Sequence, residues 1–148
     1  MTGMQAVLLP VGDDLYALPV EWVREVVAAP LVTPLVTAPP VVLGLFNLRG
    51  EIVPLLDTAA LLGIGNVGRV AFAVVLCCPQ GVVGVATTGF PQRTLLDSAA
   101  WPTDLHGTAG AYRIEQRVAV LLDPAALLAP DRIGGPDLRG GHLPAEAS

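Results

Sequence analysis

The chain has 148 residues, of which 53% are hydrophobic and only 14% are charged, with a formal net charge of −5. This length suits about one compact domain with a real core, and the composition excludes an intrinsically disordered chain. Nucleic acid and anionic membrane surfaces are disfavoured as partners, because both need clustered cations. The eight cationic residues are all arginines and are scattered, so chemistry that needs a lysine is excluded as well.

Residues 26–48 and 70–92 carry no charge, but their prolines and glycines would break a membrane-spanning helix. No basic segment precedes an apolar one at the N-terminus, so the sequence predicts a soluble, cytoplasmic protein without membrane insertion. Cys77 and Cys78 are adjacent, and a strand would point them to opposite faces. They therefore predict neither a metal site nor a disulfide framework.

The first predicted elements are a hairpin and a short helix. The apolar runs Met4–Pro10 and Leu15–Val20 flank Val11-Gly12-Asp13-Asp14, whose Gly and Asp are typical of a turn. Apolar residues then recur with helical spacing, which indicates a helix of one to two turns over Val20–Val27. Pro30 prevents its continuation.

A second hairpin is predicted where Val41–Leu48 and Glu51–Leu56 flank Arg49-Gly50, which puts Arg49 at or beside the apex of the turn. Asp57 follows the second strand and is suited to cap a short helix over Thr58–Leu62. The sequence therefore predicts a strand that runs directly into a capped helix.

The third predicted hairpin consists of Arg69–Cys78 and Val82–Thr88 around Pro79-Gln80-Gly81. Residues 89–111 are the least periodic part of the chain and carry no predicted element. Strands follow at Tyr112–Ile114 and Val118–Leu122.

The chain closes with a second capped helix, in which Asp123 is the cap and Pro124 takes the favoured first helical position. Residues 130–148 contain few apolar residues and are predicted to be a flexible C-terminal tail.

One segment is repeated. Leu55–Leu62 recurs 66 residues later as Leu121–Leu128, and seven of the eight positions are identical. Each copy joins a predicted strand to a predicted capped helix. The repeat suggests two similar small β subdomains, each too small for a full core of its own, which therefore share one.

Two patterns resemble enzyme sites. Residues 63–68 match G-x-G-x-x-G, but they leave a helix and enter a strand, which is the reverse of a dinucleotide site, so we predict no nucleotide binding. Ser98, His106 and either Asp97 or Asp104 could form a hydrolytic group, yet all lie in one irregular segment. Polar loop residues satisfied by water are the favoured interpretation, and we predict no catalytic residue, cofactor or metal site.

The two tryptophans and one arginine are the remaining candidate functional residues. Trp22 and Trp101 are interpreted as core or rim aromatics. Arg49 sits at a turn where Glu51 is the only obvious carboxylate, and its planar guanidinium suits a partner's carboxylate or carbonyl. From composition alone, a solvated turn arginine is favoured.

The run Gly44–Asp57 resembles the signature of the CheW-like domain family of chemotaxis coupling proteins, with the pattern NLRG-x-I-x-P-x-x-D. Leu15–Val26 resembles the family's tyrosine-containing strand followed by V-x-E. Arg117–Leu128 resembles its closing strand and helix. The resemblance covers about residues 4–129. The segment Gly84–Phe90 departs from the family's V-D-x-V pattern, because it has no Asp in the region of Thr87.

The resemblance implies a mainly β fold with short helices, in which two interleaved SH3-like five-stranded β-barrels within residues 4–129 share a hydrophobic core. It also implies a non-enzymatic adaptor that couples the signalling tip of a chemoreceptor to the regulatory domain of a CheA-type histidine kinase. Such adaptors work at cytoplasmic receptor arrays, in chemotaxis or a related chemosensory (twitching) pathway. The competing function is a small-ligand-binding β-barrel, or a minor hydrolase using the Asp97–His106 loop.

Carried over by motif, Arg49 would contact the receptor, and Val23, Glu25 and Gly44 would lie near the same groove between the subdomains. The residues that bind the kinase stay unassigned.

Overall fold

The computed structural model describes residues 3–97 and 99–129, which form short strands joined by tight turns. The strands are β1 (Met4–Val11), β2 (Asp14–Pro19), β3 (Val23–Ala28), β4 (Val42–Leu48), β5 (Glu51–Leu56), β6 (Phe72–Cys78), β7 (Gly81–Thr87), β8 (Gln92–Leu96), β9 (Ala99–Trp101), β10 (Thr108–Ile114) and β11 (Arg117–Leu122). The helices are a 3-10 turn (Val20–Trp22), α1 (Thr58–Leu61) and α2 (Pro124–Leu127).

The strands form two sheets, which we call the central barrel and the terminal barrel. The central barrel has the strand order β3-β6-β7-β5-β4, and the terminal barrel has the order β8-β1-β2-β11-β10-β9. Both ends of the described chain thus enter the terminal barrel. The terminal barrel has six strands rather than the expected five, because the short β9 adds to the outer edge of β10.

The sequence repeat occupies matching places in the two barrels. In each copy the strand forms the one parallel pair of its sheet, β5 with β7 and β11 with β2, and a capped helix follows. Asp57 accepts a hydrogen bond from the Ala60 N–H at 2.9 Å, and Asp123 accepts one from the Ala126 N–H at 3.4 Å. The predicted caps are therefore confirmed, and so is the prediction of two similar β units.

The hairpin β1–β2 is buried on both faces and joins the barrels. Val7, Leu9 and Leu18 belong to the large core that includes the interior of the central barrel. Ala6 and Leu8 point the other way, into the smaller core of the terminal barrel. Two-sided burial explains the continuous apolar runs in these strands and supplies the shared core.

The predicted helix over Val20–Val27 is wrong beyond its first turn. A 3-10 turn covers Val20–Trp22, and β3 then runs from Val23 to Ala28, paired antiparallel with β6. The valines that match a helical spacing are β-branched residues, which favour strands, and pairing with a neighbouring strand decided the outcome.

The region without predicted elements contains two strands and the start of a third. β8 pairs with β1, β9 pairs with β10, and β10 begins at Thr108 rather than Tyr112. The other predicted strands are confirmed to within three residues at each end. The predicted flexible tail, residues 130–148, lies outside the described residues.

Two smaller expectations concern side-chain placement. Cys77 is exposed and Cys78 is half-buried, as expected for neighbours on a strand, and burial raises the pKa of the Cys78 thiol to about 11. Trp22 is half-buried and Trp101 is exposed, so both are rim aromatics. Within the described ranges, no helix is long and apolar enough to cross a membrane.

Candidate functional site

Arg49 stands at the apex of the β4–β5 hairpin, as predicted. Leu48 pairs with Glu51, so Arg49 and Gly50 form the whole turn. Their φ angles are 51° and 90°, as a type I′ turn requires, and the Asn47 side chain accepts from the Gly50 N–H at 2.8 Å. A rigid turn therefore presents the arginine side chain.

The guanidinium of Arg49 binds the carboxylate of Glu25 through two parallel hydrogen bonds. Nη1 donates to Oε1 at 2.8 Å and Nη2 donates to Oε2 at 2.6 Å. The hydrogen bond from Arg49 lowers the pKa of Glu25 below its usual 4.5; desolvation opposes this shift, and the positive charges of Arg49 and Arg24 reinforce it. The carboxylate is thus held in its ionised form.

Glu51 takes a different partner from the one expected. Sequence proximity indicated Glu51 as the neighbour of Arg49, but its carboxylate accepts from Arg24 Nη1 at 3.2 Å. Arg24 Nε also lies 3.5 Å from the Glu25 carboxylate. The pairing of β3 with β6 is irregular between Val23 and Glu25, which leaves Arg24 unmatched as a bulge residue. Arg24 was missed from sequence because the region was predicted to be helical.

These ion pairs span the two edges of the central barrel, which we call the seam between β3 and β4. Glu25 and Arg24 come from β3, and their partners Arg49 and Glu51 come from the β4–β5 turn and the start of β5. Further along the seam, Thr33 and Leu45 exchange two backbone hydrogen bonds of 2.7 and 2.9 Å. Side chains at one end and a backbone bridge at the other thus draw the edges together.

Gly44 allows the close approach at the bridge. Its φ is 153°, and a Cβ there would collide with the carbonyl oxygen of Thr33 and with the Val32 side chain. A glycine is therefore needed for geometry, whatever its role in binding.

The four predicted site residues all belong to the central barrel. Arg49 and Glu25 are in contact, Gly44 lies at the bridged part of the same seam, and Val23 opens β3 with its side chain packed against the large core. Arg49, Glu25 and Gly44 thus line one seam between two edges of a single barrel.

The structure describes three of the four residues of the candidate hydrolytic group. Asp97, Asp104 and His106 are exposed, and Ser98 lies outside the described residues. A nearby groove of about 430 Å³ is lined by Trp101, Tyr112 and residues adjacent to them in the chain, and not by these carboxylates or the imidazole.

The glycine-rich segment 63–68 runs from α1 toward β6, in the predicted order. Gly63 has a φ of 73° and donates to the Ala60 carbonyl at 3.0 Å, as at a helix C-terminus. The buried Asp57 carboxylate accepts from the Val67 N–H at 3.0 and 3.1 Å, so this loop amide is already bound to an anion. In the part of the chain that the structure describes, no group of three or more His, Cys, Asp or Glu residues could hold a metal.

Comparison with known proteins adds a family to this geometry. The model of the CheW-like domain matches residues 5–131. The chain is 40% identical over 53 residues to a chemotaxis protein CheW of Treponema pallidum, strain Nichols, covering 36% of this chain and 31% of that protein. It is 37% identical over 62 residues to a chemotaxis protein CheW of Rhizobium meliloti, strain 1021, covering 42% and 40%. Both matches therefore span less than half of the relative's length.

A solved structure shows the same fold. The scaffolding protein TtCheW from Thermoanaerobacter tengcongensis superposes with a TM-score of 0.71 and 22% sequence identity, over 82% of this chain and 89% of that chain.

Proposed function

Because this chain belongs to the CheW-like domain family, we propose that it is a non-enzymatic scaffold that couples chemoreceptor signalling tips to the regulatory domain of a CheA-type histidine kinase. Two relatives that are chemotaxis proteins, and the structural likeness to a scaffolding protein, support this proposal. The protein would act in the cytoplasm at receptor arrays, in chemotaxis or a related chemosensory pathway such as twitching.

The exposed and oriented guanidinium of Arg49 is the observation that supports binding to a receptor. Its side chain is 64% exposed, while that of Glu25 beneath it is only 25% exposed. A guanidinium has five N–H donors, and the two nitrogens that bind Glu25 use only part of them. The remaining donors suit a carboxylate or carbonyl group on a receptor, and the ion pair orients them before the partner arrives.

The other predicted receptor residues act through this arrangement. Glu25 orients the guanidinium, and Gly44 lets Thr33 approach β4 so that the seam keeps its shape. Val23 anchors the start of β3 in the large core. Of the four residues, we therefore propose Arg49 as the main contact.

The proposal assigns no residues to kinase binding. Thr87, in the segment that departs from the family pattern, is fully buried, and its Oγ1 donates to the Gly89 carbonyl at 2.8 Å. This side chain stabilises the end of β7 and offers no group to a partner.

A binding experiment with the full chain tests the proposal. A fluorescently labelled receptor signalling-tip fragment and the isolated regulatory domain of the kinase are each titrated with the protein, followed by fluorescence anisotropy. We expect saturable binding of both and a ternary complex when all three are mixed. If the folded chain, checked by circular dichroism, binds neither fragment, the proposed function is wrong.

A further inference from the structure

Within the described residues, the chain passes between the two barrels at two places. The first crossing, residues 20–22, leads from β2 of the terminal barrel to β3 of the central barrel. The second crossing, residues 88–91, leads from β7 back to β8. Among the described strands, no strand of one sheet pairs with a strand of the other. Apolar packing and these two crossings therefore join the barrels.

The second crossing is bound to the β1–β2 hairpin by Thr88. Its N–H donates to the Pro10 carbonyl at 2.9 Å, and its Oγ1 donates to the same carbonyl at 3.3 Å. Oγ1 also accepts from the Gly12 N–H at 2.9 Å. Gly89 packs closely beside these bonds, since a Cβ there would lie 3.1 Å from the Pro10 side chain. We call Thr88, Pro10 and Gly12 the clip, which ties the end of β7 to the terminal barrel.

The first crossing occupies the matching place but is held less firmly. Trp22 and Thr88 are 66 positions apart, which is the spacing of the sequence repeat, and each lies beside a hairpin turn of the barrel that the chain enters. Trp22 is half-buried and lines a cavity of about 90 Å³ between the β6–β7 turn and α2. Side chains around unfilled space lose packing contacts, so this side of the junction resists movement less than the clip does.

Packing by itself does not select one orientation of two apolar surfaces. The hydrophobic effect is non-directional, whereas a hydrogen bond weakens steeply when its angle is distorted. The β1–β2 hairpin contributes to both cores, so the barrels meet over apolar surface. The clip adds directional contacts to this junction, at the end of the same hairpin.

We propose that the clip is a latch that holds the two barrels in one relative orientation, and that residues 20–22 are the hinge about which the barrels turn when the latch opens. Hinges are commonly a few residues at the ends of elements, as these are. The inference does not depend on the proposed function. In the proposed scaffold, the latch would fix how the seam that carries Arg49 is oriented relative to the terminal barrel.

Residual dipolar couplings of the full chain, measured by NMR, test the latch because they report the relative orientation of two rigid units. Thr88→Val removes the hydroxyl but keeps a β-branched side chain, and Thr88→Ser keeps a hydroxyl. Thr94→Val is the matched control, because this threonine is also half-buried but lies on β8 opposite Ala6. We expect one alignment tensor to fit both barrels in wild type, Thr88→Ser and Thr94→Val. Thr88→Val should need a separate tensor for each barrel.

Two further measurements locate the latch and the hinge. Amide hydrogen exchange at Gly12 should be about tenfold faster in Thr88→Val than in wild type, as expected from the loss of one or two hydrogen bonds of ordinary strength. Adding Ala125→Leu to Thr88→Val places a larger side chain in the cavity beside Trp22 and should restore a single tensor. Thr88→Ala removes the same hydroxyl and should behave like Thr88→Val.

Three outcomes would overturn the inference. If one tensor fits both barrels in Thr88→Val and Thr88→Ala, the clip is not a latch. If Thr88→Ser or Thr94→Val also needs two tensors, the barrels separate for a reason other than the loss of the Thr88 hydroxyl, and the latch is again wrong. If the double variant with Ala125→Leu keeps two tensors, the barrels do not turn about residues 20–22.

Discussion

The units β4–β5–α1 and β10–β11–α2 have matching backbone geometry but carry side chains of opposite charge at the apex of their hairpins. Arg49, with a φ of 51°, stands at the apex of the first hairpin, and Glu115, with a φ of 54°, stands at the apex of the second. The two residues are 66 positions apart, the spacing that also relates the capping residues Asp57 and Asp123.

The correspondence extends to the outer edges of the hairpins. In the first unit Thr33 bridges Leu45, and in the second Trp101 pairs with Ala111, which lies 66 positions after Leu45. The second unit thus has a true three-residue edge strand, β9, where the first has a single bridge residue. Arg24 and Arg49 reach across the remaining part of the seam to their acidic partners.

The comparison separates the residues that stabilise the fold from the exposed residues that are available to a partner. The positions common to both units are four leucines that are buried in each copy, two alanines and the capping aspartate, and the leucines and aspartates set the hairpin-to-helix geometry. The exposed apex residues differ in sign. Across residues 3–97 and 99–129, Glu115 takes part in no ion pair, whereas Arg49 is tied to Glu25. One backbone pattern therefore presents two different surfaces.

Reversing the charge at each hairpin apex in turn should give the largest difference in affinity for the receptor signalling tip. Arg49→Glu places two carboxylates side by side and removes the guanidinium, so affinity for the labelled signalling tip should fall by about 30-fold or more. Glu115→Arg should leave it within about twofold. The measurement is fluorescence anisotropy on variants whose circular dichroism matches wild type.

A charge-swapped variant sharpens the result. Arg49→Glu combined with Glu25→Arg restores an ion pair across the seam but not a guanidinium at the apex. If this variant regains wild-type affinity, the ion pair matters and Arg49 is not the receptor contact. Equal losses in Arg49→Glu and Glu115→Arg would also contradict the assignment to one unit.

The two capping aspartates should differ in their effect on stability. Asp57 is buried and accepts from Ala60 and from Val67, so Asp57→Ala should lower the free energy of unfolding by about 3 kcal/mol. Among the described residues, the Asp123 side chain accepts one hydrogen bond, the longer cap from Ala126, so Asp123→Ala should cost about 1 kcal/mol or less. Urea unfolding followed by circular dichroism measures both values. Equal losses would show that the glycine-rich loop adds nothing to the first cap.

Gly44 and Gly110 are also 66 positions apart, and replacing each by alanine should give a smaller difference in stability than the two aspartates. Gly44→Ala forces a Cβ onto the Thr33 carbonyl, with an expected cost of about 2 kcal/mol. At Gly110 a Cβ would meet the Trp101 carbonyl oxygen only at 3.4 Å, so Gly110→Ala should cost about 1 kcal/mol, from its φ of 109° alone. Thermal unfolding of the two variants checks the order, which a larger loss at Gly110 would reverse.

The smallest expected effect is the loss of the stabilisation from the Glu25–Arg49 ion pair at acidic pH. Because Arg49 lowers the pKa of Glu25, the stabilisation from this pair is present above the ordinary value of 4.5 and is lost as the pH falls through the lowered pKa. Carbon-detected NMR of the Glu25 carboxyl should show a midpoint below 4.5 in wild type and a return toward 4.5 in Arg49→Gln. An unshifted wild-type midpoint would mean that the ion pair does not persist in solution.

Local signals predicted a large part of the fold. Arg49-Gly50 between two apolar runs predicted the hairpin, and Asp57 and Asp123 predicted the caps, because turns and caps depend on neighbours within a few residues. The helix over Val20–Val27 was wrong, because periodicity in so short a window does not distinguish a helix from an edge strand. β8 and β9 were missed for a related reason, since each takes its structure from a distant partner strand.

By itself, the sequence determined the family pattern, the repeated hairpin-to-helix unit and the position of Arg49 at a turn. Only the tertiary structure decided which carboxylate Arg49 binds, because Glu25 lies 24 residues away and reaches it only when β3 and β4 become the two edges of one sheet. It also decided that Leu31 and Val36 face solvent. Composition cannot distinguish a buried leucine from an exposed one, because burial depends on which other segments pack against it.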